Sequence, residues 1–427
     1  MLREPLLSGF IRSTRNNPYD LLYCLIYATC FATLSLLLVN PDSALKLFIL
    51  SALLALPLIW KNRTSILSNK KNLFLPFMLL LFGLVQIVWV EIFKEPNSNF
   101  AAAYRSYQNG GKVMIFAALV ITALQSHTQY IIKQCISNFW IITTVVGLYC
   151  MAGYQFATAP DPLGYRVTLG FENSTGTAYA LTLIALLASQ AIINLRVKHT
   201  VTLYLLHFLV SLAVIITTQT RAAILVYPLL SIALFTIHYR HHRTILLRTL
   251  LGFILLVGLA AIPLRSVIEN RYHDFMSDIH AYSESNSNTS IGARLVMQRV
   301  GINAGTAHKW GQSLEQRGTE IQAQTQENAS LAVALIFVNV HLHNEVIDTF
   351  SLKGIPGVMV LLFLYMAMFL RAYTQRSSLL FIISGTITVY GLSDLLLYAK
   401  DVTLSCMLVL CAAILLVPGP IRELSHD

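Results

Sequence analysis

HLHNEVIDTFSLKGIPGVMVLLFLYMAMFL, residues 341–370, is the stretch in which the long hydrophilic segment of the chain gives way to an apolar run. The run begins at Ile355 and carries no charged residue as far as Leu370. Because a helix crosses a bilayer with about 20 mainly apolar residues, this run and its flanks are predicted to span a membrane. The polar part places His343, a titratable base, beside the amide of Asn344, and we expect this pair to lie at the membrane surface.

The composition of the whole chain excludes a soluble domain. Of its 427 residues, 56% are hydrophobic and only 12% are charged, and the mean hydropathy is +0.63. These values are typical of a polytopic membrane protein. The net charge of +10 does not indicate nucleic-acid binding, because Lys and Arg cluster in short loops between apolar runs. All six cysteines lie in or beside apolar runs, so we expect neither a disulfide framework nor a cysteine-based zinc site.

Twelve apolar runs are long enough to count as candidate spans. They cover residues 21–39, 44–60, 74–93, 111–125, 136–157, 176–195, 201–216, 222–238, 246–264, 355–370, 379–397 and 402–418. The fold class predicted is therefore an all-α polytopic membrane protein with about 12 transmembrane helices. Three regions follow: 1–264 with nine helices and short loops, a large loop at 265–354, and 355–427 with three helices and the C-terminus.

The positive-inside rule orients this set, because Lys and Arg are concentrated before the first span and after the even-numbered spans. Both termini are thus predicted in the cytoplasm, and the 265–354 loop outside. Shorter outer loops are predicted near 94–110, 159–175, 217–221 and 398–401. In a bacterial inner membrane, this places the large loop in the periplasm. Within it, the apolar segment 329–340 is too short to span, which suits an interfacial or re-entrant helix.

Two arginines in the outer segments are candidates for anion binding. Arg221 opens an apolar span after a short polar turn, on the side where the orientation rule disfavours cations. A snorkelling interfacial arginine is the alternative reading. Arg294 follows the polar stretch 280–292 in a helix-compatible pattern, whereas Arg299 is interpreted as a solvated charge. Guanidinium groups match phosphate oxygens bidentately, each charge-assisted bond contributing about 1.5–3 kcal/mol.

The histidines near the end of the loop are candidates for proton transfer. A neutral imidazole with an ordinary pKa of about 6.5 is suited to accept a proton from a hydroxyl, and His343 is assigned this role. Asn344 either bonds a sugar or caps backbone groups. His341 and His343 are also spaced like metal ligands, but Glu345 and Asp348 are the only carboxylates close in sequence. We therefore predict no metal site.

Four further polar residues carry weaker expectations. Asp394, within the eleventh predicted span, is interpreted as a structural counter-charge for a core Arg or for Lys400. Lys112 and Arg105 border the 94–111 segment and would add to a basic outer surface. Arg166 in the 159–175 loop would touch a sugar or a phosphate.

Two motifs resemble a known pattern. His343-Asn344, nine residues and then Gly354-Ile355-Pro356-Gly357 resembles the His-Asn, Gly-x-x-Gly signature of O-antigen ligases, and Arg221-Ala222-Ala223-Ile224-Leu225 is similar to their Arg-x-x-x-Leu motif. The predicted twelve-span layout with a large outer loop also matches. The spacing of Arg294 to Gly305 is similar to a pattern of the related O-antigen polymerases.

The resemblance implies an inner-membrane glycosyltransferase of GT-C-like fold, inverting, with no metal and no cofactor. It would move O-antigen from undecaprenyl diphosphate onto lipid A–core at the periplasmic face. Arg221 and Arg294 would hold the donor diphosphate, His343 would act as general base, and Asn344 would give support. The partners implied are the lipid-linked donor, the lipid A–core acceptor and membrane lipids, and no nucleic acid.

Other functions remain open at this point. An O-antigen polymerase or a protein O-oligosaccharyltransferase would share the lipid-diphosphate donor and a similar hydropathy profile. A secondary transporter also fits twelve spans, but the chain has no pair of matching halves with Gly- or Pro-broken spans in corresponding positions.

Overall fold

The computed structural model describes residues 18–125, 131–161, 164–261, 265–283, 287–338 and 341–416. Regular structure in these ranges is helical throughout. The helices are α1 (Pro18–Leu36), α2 (Pro41–Lys61), α3 (Arg63–Ser68), α4 (Lys70–Phe93), α5 (Ala101–Gln125), α6 (Ile131–Ala157), α7 (Ser174–Asn194), α8 (Thr200–Thr217), α9 (Arg221–Tyr239), α10 (Arg243–Ala261), α11 (Arg265–Ser283), α12 (Ser290–Ala307), α13 (Leu314–Glu327), a 3₁₀ helix (Ala329–Phe337), α14 (Glu345–Thr374), α15 (Ser378–Gly391) and α16 (Lys400–Leu416).

Each of the twelve predicted spans overlaps one of these helices. Within the described ranges, eight helices are long and apolar enough to cross a membrane by length and composition. The prediction of an all-α polytopic membrane protein is therefore confirmed.

Helix α7 forms the centre of the bundle. Its apolar window is entirely buried, and it packs against α6, α8, α9, α15 and α16. Its sequence, STGTAYALTLIALLASQAIIN, is rich in small residues, which allow neighbouring helices to approach closely in a membrane. Asn173 caps its N-terminus by accepting a hydrogen bond from the backbone N–H of Gly176.

The start of the fourth predicted span and the end of the eleventh were wrong by the largest number of residues. Helix α5 begins at Ala101 instead of residue 111, so Arg105 lies on the helix and not in a loop. The added turns bury Tyr104 and Tyr107 against the large loop, and their polar neighbours lowered the local hydropathy. Helix α15 ends at Gly391 instead of residue 397, so Asp394 lies in the irregular segment that follows.

The large loop folds into α11, α12, α13 and the 3₁₀ helix, and the last three share a small core of their own. That core contains Ala293, Val296, Met297, Val300, Ile321, Leu331, Val333, Ala334 and Leu342. The segment predicted as an interfacial helix therefore has one side in this core, while Leu335 and Ile336 remain exposed. Thr289 and Ser313 cap α12 and α13 by accepting hydrogen bonds from backbone N–H groups two or three residues inside each helix.

Helix α14 contains a sharp bend at Gly354. This residue has φ 62° and ψ −161°, a conformation that glycine adopts without steric cost. A Cβ here would also overlap the backbone carbonyl of Lys309. The bend lets the buried segment 345–353 join the loop helices, while the apolar segment after it continues as a span.

The loops predicted on the outer side meet at one end of the bundle. Arg166 donates a hydrogen bond to the carbonyl of Thr218 over 3.0 Å, which joins the loops before α7 and before α9. The Tyr104 hydroxyl donates to Glu315 over 2.7 Å, which joins α5 to α13. Gln86 of α4 donates to the carbonyl of Leu397 over 2.8 Å, which joins α4 to the segment after α15. This end of the molecule contains the site described next.

Candidate active site

The leucine between the two histidines anchors their segment to the large loop. Leu342 is 1% exposed and lies in the core of the large loop. It packs against Gly301 of α12, where an added Cβ would overlap the leucine side chain. Leu342 is buried, whereas His341 and His343 on either side of it are both partly exposed. Their rings lie 4.4 Å apart between centroids.

His343 has a strained backbone. Its φ is +49°, a region that costs about 1–2 kcal/mol for a residue with a Cβ. Such strain is concentrated at functional sites in proteins. Asn344 follows as the cap of α14, accepting from the backbone N–H groups of Val346 and Ile347 over 3.1 Å each. Its side-chain amide donates to the carbonyl of Leu392 over 3.0 Å, so both ends of the amide have backbone partners.

Asp394 faces both histidines. Its Oδ1 lies 3.0 Å from Nε2 of His341 and 3.0 Å from Nδ1 of His343. The interpretation of Asp394 as a counter-charge for Lys400 was wrong, since Lys400 pairs with Asp42 instead. The earlier end of α15 explains the difference, because it turns the segment after Gly391 back towards the start of α14.

The protonation of this cluster follows from the carboxylate. Burial raises the pKa of the Asp394 carboxyl, but hydrogen bonds and charge from His341 and His343 outweigh it and hold the pKa well below its ordinary value. An ionised carboxylate only accepts hydrogen bonds, so Nδ1 of His343 and Nε2 of His341 must carry the protons. In neutral His343 this leaves Nε2 with a free lone pair. The ring is 21% exposed, and Phe337 contacts it edge-on with centroids 6.0 Å apart.

Arg294 lies on the helix that packs against the histidine segment, since Ala293 and Val296 of α12 share a core with Leu342. Tyr179 of the central helix α7 stacks on Tyr390, with ring centroids 4.3 Å apart. The backbone carbonyl of Tyr390 accepts a hydrogen bond from the N–H of Asp394 over 2.9 Å. The predicted helix around Arg294 is α12, and the residue is half-buried there. The fold therefore brings Arg294 towards the end of the molecule that holds His343.

Arg221 lies at the same end of the molecule and has an ion-pair partner in the large loop. It is the first residue of α9, and its Nη1 is 3.3 Å from Oδ2 of Asp278 in α11. The preceding turn is fastened to the start of α7, because the Thr220 hydroxyl donates to the carbonyl of Ser174 over 3.4 Å. Tyr179 follows five residues later, an axial rise of about 7.5 Å along the helix. Arg221 is thus close to the Tyr179 region, with its side chain 34% exposed.

The remaining sequence candidates are placed as follows. Arg166 donates to the Thr218 carbonyl and to the Thr220 hydroxyl, over 3.0 and 3.3 Å, so it braces the turn before Arg221. Lys112 is exposed on α5 and donates to Gln108 over 3.2 Å. Arg299 is exposed on α12, in agreement with its interpretation as a solvated charge.

A buried ion pair contacts the backbone of the segment that carries the two histidines. Nη1 of Arg317 lies 2.9 Å from Oδ1 of Asp348, and each side chain is 1% exposed. The same carboxylate accepts from the backbone N–H of Leu342 over 3.2 Å and from the Tyr107 hydroxyl. Lys353 lies over the Tyr107 ring, 4.3 Å from its centroid. Asp348 thereby ties α13, α5 and the His-Leu-His segment together.

Glu345 connects the start of α14 to the segment that carries Asp394. Its two carboxylate oxygens accept from the backbone N–H groups of Leu396 and Leu397, over 3.2 and 3.0 Å. Both Glu345 and Asp348 are buried, and the imidazoles are contacted by Asp394 instead. They set the geometry of the segments on which His343 and Asp394 lie.

The two histidines and Asp394 also have the spacing of a metal site. Ligand atoms of His341, His343 and Asp394 all lie within 4.8 Å of one another. Two imidazoles and one carboxylate are an accepted donor set for zinc and for iron. The sequence prediction of no metal site counted only carboxylates near in sequence, whereas the fold adds Asp394 from a distant segment. The same atoms equally fit a carboxylate that orients two imidazoles.

Comparison with known proteins decides the family. Residues 206–362 match the family model described as O-Antigen ligase, and this range includes Arg221, Arg294 and His343. A curated O-antigen ligase of Escherichia coli (strain K12) is 31% identical over 412 residues, covering 94% of this chain and 95% of the relative. The chain belongs to the O-antigen ligase family. The resemblance stated from the His-Asn and Gly-x-x-Gly motifs is confirmed.

Several residues that organise the site in this ligase-family chain were missed by sequence reasoning. Arg317 lies in a polar helix among other charged residues, and nothing in its local pattern predicts burial. The role of Asp394 was missed because the predicted span enclosed it. One signal was available: the sequence Gly391-Leu392-Ser393-Asp394 combines helix-ending and turn-forming residues.

Proposed function

We propose that this chain transfers an O-antigen polysaccharide from undecaprenyl diphosphate onto lipid A–core, at the periplasmic face of the inner membrane. The reaction proposed is an inverting, metal-independent glycosyl transfer with His343 as general base. The observation that carries the proposal is the Asp394–His343 hydrogen bond, which leaves Nε2 of an accessible imidazole free to accept a proton. Membership of the O-antigen ligase family supports the choice of substrates.

In the proposed reaction, Nε2 of His343 takes the proton of an acceptor sugar hydroxyl. The hydroxyl oxygen attacks the anomeric carbon of the donor from the side opposite the diphosphate, and the bond from that carbon to the phosphate oxygen breaks. Undecaprenyl diphosphate leaves with the bonding electron pair, and the configuration at the anomeric carbon inverts. Asp394 holds the imidazole in the required tautomer and stabilises the imidazolium that forms.

The leaving diphosphate requires positive charge, which Arg294 and Arg221 are proposed to supply. Positioned cations in a site with little water are usually the largest catalytic contribution. Arg294 lies on α12, whose residues Ala293 and Val296 share a core with Leu342 between the histidines. Arg221 pairs with Asp278 through Nη1, and a guanidinium carries five N–H donors, so a bound diphosphate would share this arginine with the carboxylate.

Replacing Arg294 by alanine is expected to abolish transfer while leaving membrane insertion intact, because about 1.5–3 kcal/mol is lost with each charge-assisted bond to phosphate. Arg294→Lys should restore only part of the rate, since an ammonium does not offer a bidentate fork. The rate of polymer transfer in a purified assay is the measurement. Arg299→Ala, an exposed arginine on the same helix, is the matched control and should transfer normally. A normal rate for Arg294→Ala would remove Arg294 from the site.

Transfer is expected to survive EDTA, because in the proposed mechanism the histidines and arginines supply both the base and the positive charge. The measurement is product formation after chelation and buffer exchange. Loss of activity that one divalent ion restores would instead assign His341, His343 and Asp394 as its ligands.

The proposed function is tested by incubating purified protein with lipid-linked O-antigen and lipid A–core. We expect the polymer to move to lipid A–core. A deletion strain should accumulate unligated O-antigen and make rough lipopolysaccharide. A lipopolysaccharide ladder shortened to a single repeat in that strain would indicate a polymerase, and transfer to a protein acceptor would indicate an oligosaccharyltransferase.

A further inference from the structure

Helix α11 has an uncovered apolar side. Four large apolar residues along it are exposed by 38–58%. They are Tyr272, Phe275, Met276 and Ile279, and we call them the α11 stripe. Their spacing of i, i+3, i+4 and i+7 places them within an arc of about 100° on the helix surface.

The opposite side of α11 is polar. His273, Ser277 and His280 are exposed and lie between about 80° and 140° around the helix from Tyr272. Asp278 lies beyond the other edge of the stripe, about 60° from Phe275, and pairs with Arg221. The helix is therefore amphipathic, with one flank fixed to the start of α9 and its apolar side about half-exposed.

The position of α11 indicates what covers the stripe. It begins four residues after the end of the apolar helix α10, whose exposed large apolar residues include Leu247, Leu251, Ile254 and Leu255. In a membrane protein, such a row on an apolar helix contacts lipid. Asp278 also places α11 at the end of a candidate span, because it contacts Arg221, the first residue of α9. A contiguous apolar patch of this kind marks a contact with lipid or protein.

We propose that α11 lies on the membrane surface beside the candidate active site, with the α11 stripe immersed in the lipid of the adjacent leaflet. A helix of low net hydrophobicity with distinct apolar and polar faces binds in the interface and does not span. The adjacent apolar helix fixes its depth, and the Asp278–Arg221 pair fixes its rotation about its axis.

If the proposed function holds, this arrangement has a consequence for the donor. Arg221 is then held at head-group depth, where the diphosphate of a polyprenyl lipid lies, and the hydrocarbon chain extends along the same leaflet. The membrane-surface position of α11 is measurable without any transfer reaction, so either proposal can fail alone.

The test places one genetically encoded, environment-sensitive fluorescent amino acid at Met276 or at His273, in full-length protein. The protein is reconstituted in nanodiscs of phosphatidylethanolamine and phosphatidylglycerol, in which part of the lipid carries a nitroxide near the carboxyl end of its acyl chain. Quenching by the nitroxide lipid and quenching by iodide in the buffer are both measured. Ile279 and Ser277 form a second pair of positions with the same expectation.

At 276 we expect quenching by the nitroxide lipid several-fold stronger than at 273, and at 273 the stronger quenching by iodide. Equal iodide quenching at both positions would mean that the stripe faces water, which overturns the proposal. Protection of 276 from both quenchers would also overturn it, because a protein surface, from a second copy or another partner, would then cover the stripe.

Discussion

Substitution of His343 by alanine is expected to lower polymer transfer by about 10²- to 10⁴-fold, the usual contribution of a general base. In a lipopolysaccharide ladder assay, this is loss of ligation. The ring is the partly exposed base of the cluster, and Asp394 holds its Nδ1 over 3.0 Å. The fold should persist, since Leu342 and Asn344 anchor the segment on either side of the imidazole.

His341 provides a matched control for this prediction. Both histidines use one ring nitrogen to contact Oδ1 of Asp394, and a glutamine amide keeps such a donor while losing the base. His343→Gln is therefore expected to be as inactive as His343→Ala, whereas His341→Gln should keep most of its activity. Transfer rates and expression levels in the membrane fraction are the measurements. Wild-type ladders from His343→Gln would mean that another group accepts the proton.

The largest expected effect on stability comes from Arg317. Its replacement by leucine leaves Asp348 as a buried carboxylate without its ion-pair partner, which typically costs about 3–5 kcal/mol. Since Asp348 also holds the backbone of Leu342, we expect both a lower melting temperature in detergent and lost transfer. The measurement is thermal unfolding followed by intrinsic fluorescence.

Arg299→Leu makes the same change at an exposed arginine in the large loop and should leave the melting temperature nearly unchanged. Arg317→Lys keeps the charge at 1% exposure but loses the planar fork, so an intermediate melting temperature is expected. An unchanged melting temperature for Arg317→Leu would show that the buried pair does not hold the loop together.

Much of the fold could be predicted from the sequence, since a span depends on local composition. A run such as residues 222–238 is apolar over enough residues to be helical in a bilayer whatever packs against it, and α9 covers it almost residue for residue. Some helix starts also depend only on nearby residues, because a cap such as Asn344 accepts hydrogen bonds from N–H groups two or three residues ahead.

The early start of α5 and the early end of α15 could not be predicted in this way. Tyr104 and Tyr107 lie in a helix because residues of the large loop bury them. The hydropathy of the local sequence does not predict burial by residues that are distant in sequence. The segment after Gly391 leaves the helical path because Glu345 binds its backbone N–H groups.

The sequence by itself determined the helical membrane fold and the family motifs around Arg221, His343 and Gly354, because each depends on neighbouring residues. Only the tertiary structure decided which group orients His343 and which one neutralises Arg317. Asp394 lies 51 residues from His343 and Asp348 lies 31 residues from Arg317. Such contacts depend on how whole helices pack. The sequence does not show which carboxylates lose their water on folding, and only a buried carboxylate needs a partner inside the protein.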